Sequence, residues 1–311
     1  MRLLLLGCTG FVGRELVPFL LNLGHELAVV SRRPRPASPA ADPRITNLRF
    51  DLADPASWQQ PALLDALAAA DGVVNLVGEP IADQRWTPAY RQRLLDSRLV
   101  TTGQLVGAMA ALADPPKVLV SGSAVGYYGT SLEACFSEAS PPGDDFLARL
   151  CARWEAAAQA APEACRVVVL RLGIVLGPDG GALGKMLPVF RAGFGGPVGS
   201  GQQWMSWIQR HDLCRLIAAA LEDPAYAGPY NAVAPEPTRM GIFASTLGRV
   251  LGRPSLLPVP GPLLQLLLGD GAKVVLEGQQ VKPERLLEQG FHFQFADLSS
   301  ALAAATSPAP R

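Results

Sequence analysis

Arg2-Leu3-Leu4-Leu5-Leu6-Gly7-Cys8-Thr9-Gly10-Phe11-Val12-Gly13 opens the chain. A short apolar run closed by glycine reads as a strand buried on both faces, which is how parallel strands look. Leu16, Val17, Phe19, Leu20 and Leu21 follow at helical spacing. The glycines at 7, 10 and 13 therefore lie in a strand-to-helix turn, the context that gives such spacing its meaning. Gly7 permits the tight turn, Gly10 lets the backbone approach a diphosphate, and Gly13 lets the helix pack closely on the strand. The free N–H groups of Thr9, Phe11 and Val12 and the helix dipole then favour an anion.

The next strand sharpens the reading. Glu26–Ser31 ends in Ser31-Arg32-Arg33, with no acid. Sites for NAD usually place a carboxylate there to hold the ribose 2′-hydroxyl, and it would repel a 2′-phosphate. A guanidinium pairs with that phosphate instead. The expected cofactor is NADP(H). Asp51-Leu52 closes a third strand, where the adenine edge would lie. Leu76-Val77-Gly78, with Glu79 after it, closes a fourth, along the ribose and diphosphate.

Outward from this loop, strands at Leu48–Phe50, Gly72–Leu76, Lys117–Ser121 and Arg166–Leu172 alternate with helices at Leu63–Ala70, Ala89–Ala111 and Phe146–Ala161. That rhythm predicts βαβ units and a Rossmann-like, doubly wound parallel sheet of six strands within the first ~175 residues. Gly180–Gly201 reads as a glycine-rich loop covering a substrate, and Trp204–Leu221 as strand then helix. We expect an NADP-binding domain over residues 1–225, with substrate-side segments from about 178, and a small C-terminal α/β domain over 226–311.

Composition narrows the partners. Lys+Arg and Asp+Glu each number 27, so a neutral chain offers no electrostatic case for nucleic acid or an anionic membrane. Apolar residues reach 49% of 311, enough for a sizeable core. No apolar run is long enough to span a bilayer, and Leu3–Leu6 is too short for a signal peptide, so a cytoplasmic location is expected. Cys8, Cys135, Cys151, Cys165 and Cys214 form no CxxC pair and no metal spacing, and read as reduced, mostly buried thiols. The sequence leaves a homodimer open.

Gly7–Gly13, Ser121-Gly122-Ser123, Tyr127-Tyr128-Gly129 and Arg171…Gly177-Pro178 together resemble the extended short-chain dehydrogenase/reductase superfamily, in its epimerase/dehydratase group. Asn75–Ile81, Arg85-Trp86, Asp96-Ser97-Arg98, Trp154-Glu155, Trp204–Asp212 and Leu276–Arg285 are similar to one "epimerase family" branch of it, and the resemblance covers nearly the whole chain. It implies hydride exchange on a small carbonyl or alcohol substrate, with a serine and a Tyr-x-x-x-Lys pair. Ser123 matches the serine, but alignment on Glu155 puts Leu147 at the tyrosine and Cys151 at the lysine. Neither can take over that chemistry.

Tyr127 and Tyr128 are then the candidate proton donors beside Ser123, although a phenol is a poor base without a nearby cation. Arg98 could supply the missing charge. Ser121 joins the cofactor set at the end of the fifth strand. Lys185 and His211 are weaker candidates; the resemblance implies that the stretch with Trp204, Trp207, Arg210 and Asp212 reaches the substrate, although its aromatics read first as core or interface packing. A packed tyrosine pair, a solvated Glu79 and a structural Arg98 remain open alternatives. So does a different class of function, a non-catalytic NADP(H)-binding sensor or scaffold, because the same fold hosts many activities.

Overall fold

The computed structural model describes residues 1–32 and 42–307. Seven parallel strands form the central sheet: β1 (Arg2–Leu6), β2 (Glu26–Ser31), β3 (Ile45–Arg49), β4 (Gly72–Asn75), β5 (Val118–Ala124), β6 (Arg166–Leu172) and β7 (Gly228–Ala232). Their spatial order is β7-β6-β5-β4-β1-β2-β3. The chain reverses direction across the sheet between β1 and β4, the switch point where open α/β sheets bind ligands.

The leucines of β1 explain why the sheet is covered on both sides. Leu3 and Leu5 pack with helices α1 (Gly13–Asn22) and α6 (Arg210–Glu222), through Leu16, Leu20, Leu213 and Ile217. Leu4 and Leu6 point to the opposite face and pack with α2 (Pro61–Ala68) and α3 (Pro88–Ala110), through Leu63, Leu67, Leu105 and Met109. Alternate residues thus serve two cores. Helix α3 begins at Pro88 behind Thr87, whose hydroxyl accepts from the Tyr90 N–H.

Two expectations need correction. The sheet has a seventh strand, β7, which pairs in parallel with β6 beyond residue 226. Its sequence, GPYNA, hides a strand behind glycine and proline. Such residues are tolerated because β7 is the sheet's edge. The glycine-rich stretch 180–201 holds a helix, α5 (Gly181–Arg191), that buries Leu183, Leu187 and Phe190 at helical spacing. Those side chains join Trp207 and helices α7 (Met240–Leu251) and Leu298–Thr306 in a third core.

Helix α4 (Phe146–Gln159) lies against β5 and is capped by Asp145, which accepts from the Ala148 N–H. Leu147, Cys151 and Glu155 sit four residues apart, on one face of it.

Candidate functional site

The glycine loop has the geometry its spacing predicts. Gly7 adopts φ +74°, and a Cβ there would fall 2.6 Å from the Leu76 carbonyl carbon and the Val77 nitrogen. A Cβ on Gly13 would fall 1.8 Å from the Cys8 carbonyl oxygen, so the start of α1 rests directly on the end of β1. A Cβ on Gly10 would meet nothing nearer than 3.9 Å, leaving that face open. Thr9 is exposed, Phe11 and Val12 are half-buried, and no side chain caps the first turn of α1. An open glycine beside uncapped helical N–H groups suits the diphosphate of a dinucleotide.

Ser31 closes β2 beside this loop, with exposed Arg32 after it; Arg33 lies outside the described residues. Leu52 is buried, and its carbonyl accepts from the Trp58 indole N–H at 3.0 Å, while Asp51 is exposed. Leu76 and Val77 are half-buried at the end of β4, and the Val77 N–H donates to Asn75 Oδ1. The Arg98 guanidinium lies against the exposed Gly78, so close that a Cβ there would be 2.9 Å from it. Arg98 donates to the Glu79 carbonyl at 3.0 Å, holding Glu79 by its backbone and not its carboxylate. Burial holds the Arg98 guanidinium below the usual arginine range. Ser121 is buried within β5.

Across the sheet edge, a buried polar network ties together residues from β5, β6, β7 and α4. Ser123 donates to Glu155 Oε1 at 2.7 Å. Glu155 receives both arms of Arg171, at 2.9 and 2.8 Å, in a bidentate pair. Arg171 also donates to the Tyr128 hydroxyl at 2.8 Å, and Tyr128 donates to Asn231 Oδ1 at 2.6 Å. The Asn231 N–H donates to Glu138 Oε1 at 3.0 Å. Burial pushes the Tyr128 phenol up to about 12, against the opposing pull of Arg171.

The three candidate hydroxyls therefore differ. The protons of Ser123 and Tyr128 are committed to Glu155 and Asn231. Tyr127 is half-buried, and its hydroxyl has no hydrogen-bond partner among the described residues. The Arg171 guanidinium stands 3.5 Å from the centre of the Tyr127 ring. Leu147 packs beside the 125–128 turn, where a Cβ on Gly126 would be 3.4 Å from it. Cys151 is buried, and burial, with Glu155 nearby, pushes its thiol up to about 12. It is inert as a base or nucleophile at neutral pH.

The Trp204–Asp212 stretch divides between the core, the glycine loop and the surface. Trp207 is core. Asp212 is fully buried and accepts from the Gln294 and Phe295 N–H groups at 2.8 Å, anchoring the chain before the last helix. Arg210 faces the glycine loop. Trp204 is half-buried with the Arg239 guanidinium 3.8 Å over its ring. Lys185 pairs with Asp83, and His211 with Glu15.

Glu155 and Arg171 entered the sequence reading as parts of longer strings, without a role, and Asn231 and Glu138 were missed. One signal was present: Arg171 is the single charge inside the apolar run 167–172, where an unpaired guanidinium would be very costly. Asn231 carries no local signal, because its role depends on Tyr128, 103 residues earlier.

The pattern of the NAD dependent epimerase/dehydratase family matches residues 3–233, and that of a domain of unknown function (DUF1731) matches residues 259–305. The chain is 44% identical over 304 residues to the Arabidopsis thaliana epimerase family protein SDR39U1 homolog, chloroplastic, covering 96% of this chain and 84% of that one. It is 41% identical over 306 residues to the Homo sapiens epimerase family protein SDR39U1, covering 97% and 98%. The crystal structure of human epimerase family protein SDR39U1 with NADPH superposes with a TM-score of 0.86, at 39% identity, covering 98% of this chain and 99% of that one. No described helix is long and apolar enough to cross a membrane.

Proposed function

The chain belongs to the NAD dependent epimerase/dehydratase family, and from that premise we propose that it is an NADP(H)-binding oxidoreductase or epimerase-like enzyme acting on a small carbonyl or alcohol. Gly7, Gly10 and Gly13, with the N–H groups after Thr9, hold the diphosphate, and Ser31 and Arg32 take the 2′-phosphate. Leu76, Val77 and Gly78 line the ribose and diphosphate. The relative crystallised with NADPH supports this choice.

The observation that carries the chemistry is the state of Tyr127. Of the three candidate hydroxyls it has an uncommitted proton, and it stands against the Arg171 guanidinium. When bound, the nicotinamide exchanges hydride with a carbon of the substrate. Tyr127 delivers or accepts the proton at the substrate oxygen. Arg171 provides the cation beside the tyrosine that Cys151, at the lysine position, does not. Ser123 acts through Glu155, fixing the carboxylate that keeps Arg171 under the ring. Arg98 holds the Gly78–Glu79 backbone in shape along the cofactor.

The test is NADPH consumption with a panel of carbonyl compounds. Tyr127→Phe should lower turnover by about 100-fold or more, the usual scale of a lost proton donor, with an unchanged melting temperature. Arg32→Glu should reverse the preference for NADPH over NADH. The second reading, an NADP(H) sensor without chemistry, is favoured by one observation: Ser123 and Tyr128 spend their protons inside the protein. Tight NADPH binding without turnover on any compound would decide for it. The cytoplasmic location expected from the sequence stands beside a plant relative named as chloroplastic.

A further inference from the structure

Arg210 opens α6, 199 residues after Phe11, yet its guanidinium is buried against the glycine loop. Its Nη1 donates to the Phe11 carbonyl at 3.0 Å, and its Nε to Glu15 Oε2 at 2.7 Å. It also pairs with Asp179, and its Cζ lies 4.7 Å from the Phe11 ring centre. The same ring is gripped by three glycines. Cβ atoms on Gly177, Gly180 and Gly181 would lie 2.9, 2.8 and 2.9 Å from it. Asp179 reaches onward to Arg14 at 2.9 Å, stitching this strap to the first turn of α1.

A trans peptide is planar, so a carbonyl and the N–H that follows it point in opposite directions. Arg210 takes the Phe11 carbonyl, which turns the Val12 N–H away from Arg210. No acceptor takes that N–H among the described residues. We infer that Arg210 is a positioning residue for the dinucleotide diphosphate: it fixes the Phe11–Val12 peptide so that the Val12 N–H is presented to the phosphate. This rests on the dinucleotide reading above. Its action is orientation and not attraction, because Glu15 and Asp179 already neutralise the guanidinium. A phosphate-binding peptide is thus aimed from a helix far along the chain.

The test uses the full chain and isothermal titration with three ligands: NADPH, NADH and adenosine 2′-monophosphate, which lacks the diphosphate. Arg210→Lys keeps the charge but loses the fork that reaches the carbonyl and both carboxylates together. It should weaken NADPH and NADH by the same factor, about tenfold, the scale of one misaimed charge-assisted hydrogen bond. Adenosine 2′-monophosphate should bind as before, and the salt dependence of NADPH binding should be unchanged. Asp179→Asn, at a side chain 42% exposed and safe for folding, should give a smaller loss of about threefold in the same pattern. It carries the test if Arg210→Lys does not fold. Wild-type affinity for NADPH in both variants, or a parallel loss for adenosine 2′-monophosphate, would overturn the inference. A wild-type chain that binds no NADPH would sink the dinucleotide reading first, and this inference with it.

Discussion

The glycine loop and the Ser123–Tyr128 shoulder both lie at the carboxyl ends of strands in one parallel sheet, β1 and β5, and they are built in opposite ways. The loop works by what is missing. Gly7 and Gly13 leave out side chains where backbone presses on backbone, and Gly10 leaves an open face. The shoulder works by pairing. Ser123, Glu155, Arg171, Tyr128 and Asn231 pass hydrogen bonds between groups 16 to 103 residues apart. A loop of omissions can be encoded in seven consecutive residues. A network of pairs needs the whole sheet to assemble before any member has a role.

The largest effect should come from breaking the shoulder. Arg171→Met leaves the Glu155 carboxylate buried without its partner, which costs about 3–5 kcal/mol. Urea unfolding measures it. Glu155→Leu combined with Arg171→Met should recover much of the loss, since a buried ion pair often contributes little over apolar replacements of similar volume. A single-variant loss below about 1 kcal/mol would mean that the network is not what holds the shoulder.

Next in size is an alkaline effect. Tyr128 titrates near 12 in the folded protein, raised by burial from 10. The folded state therefore keeps its proton longer than the unfolded chain does. That stabilisation is full below pH 10 and is lost as pH rises from 10 through 12, about 2–3 kcal/mol in all. Cys151, raised by burial from 9 to about 12, adds to the same decline from pH 9. Stability measured against pH should fall more gently over this window in Tyr128→Phe. An unchanged slope would show that Tyr128 is not sealed from solvent.

These two regions also explain what the sequence could show. The succession of strands and helices, the burial of β1 and the Gly7–Gly13 turn were legible, because apolar runs, helical spacing and glycine spacing are local consequences of backbone geometry. β7 was not, because an edge strand tolerates the GPYNA sequence that signals a turn elsewhere. Helix α5 was obscured by the glycines around it, some of which serve the Phe11 ring. The separate duties of Tyr127 and Tyr128 could not be read from two adjacent identical letters. They differ because Asn231 and Arg171 meet one hydroxyl and not the other.

The smallest expected effects divide the loop against itself. Gly13→Ala must push apart α1 and β1, since its Cβ would overlap the Cys8 carbonyl at 1.8 Å. That overpacking costs about 1–3 kcal/mol and should appear as a lower melting temperature even without any ligand. Gly10→Ala has the same chemical change three residues away, but a φ outside the left-handed region and nothing nearer than 3.9 Å. Its stability should stay within about 0.5 kcal/mol of the parent. If Gly10 is the face that a diphosphate approaches, the added methyl stands where the ligand must lie, and NADPH affinity should drop although the fold is untouched. Equal loss of stability in the two variants would show that both glycines serve packing. Unchanged NADPH affinity in Gly10→Ala would move the diphosphate away from this loop, and Arg210 would then hold a peptide that faces no ligand.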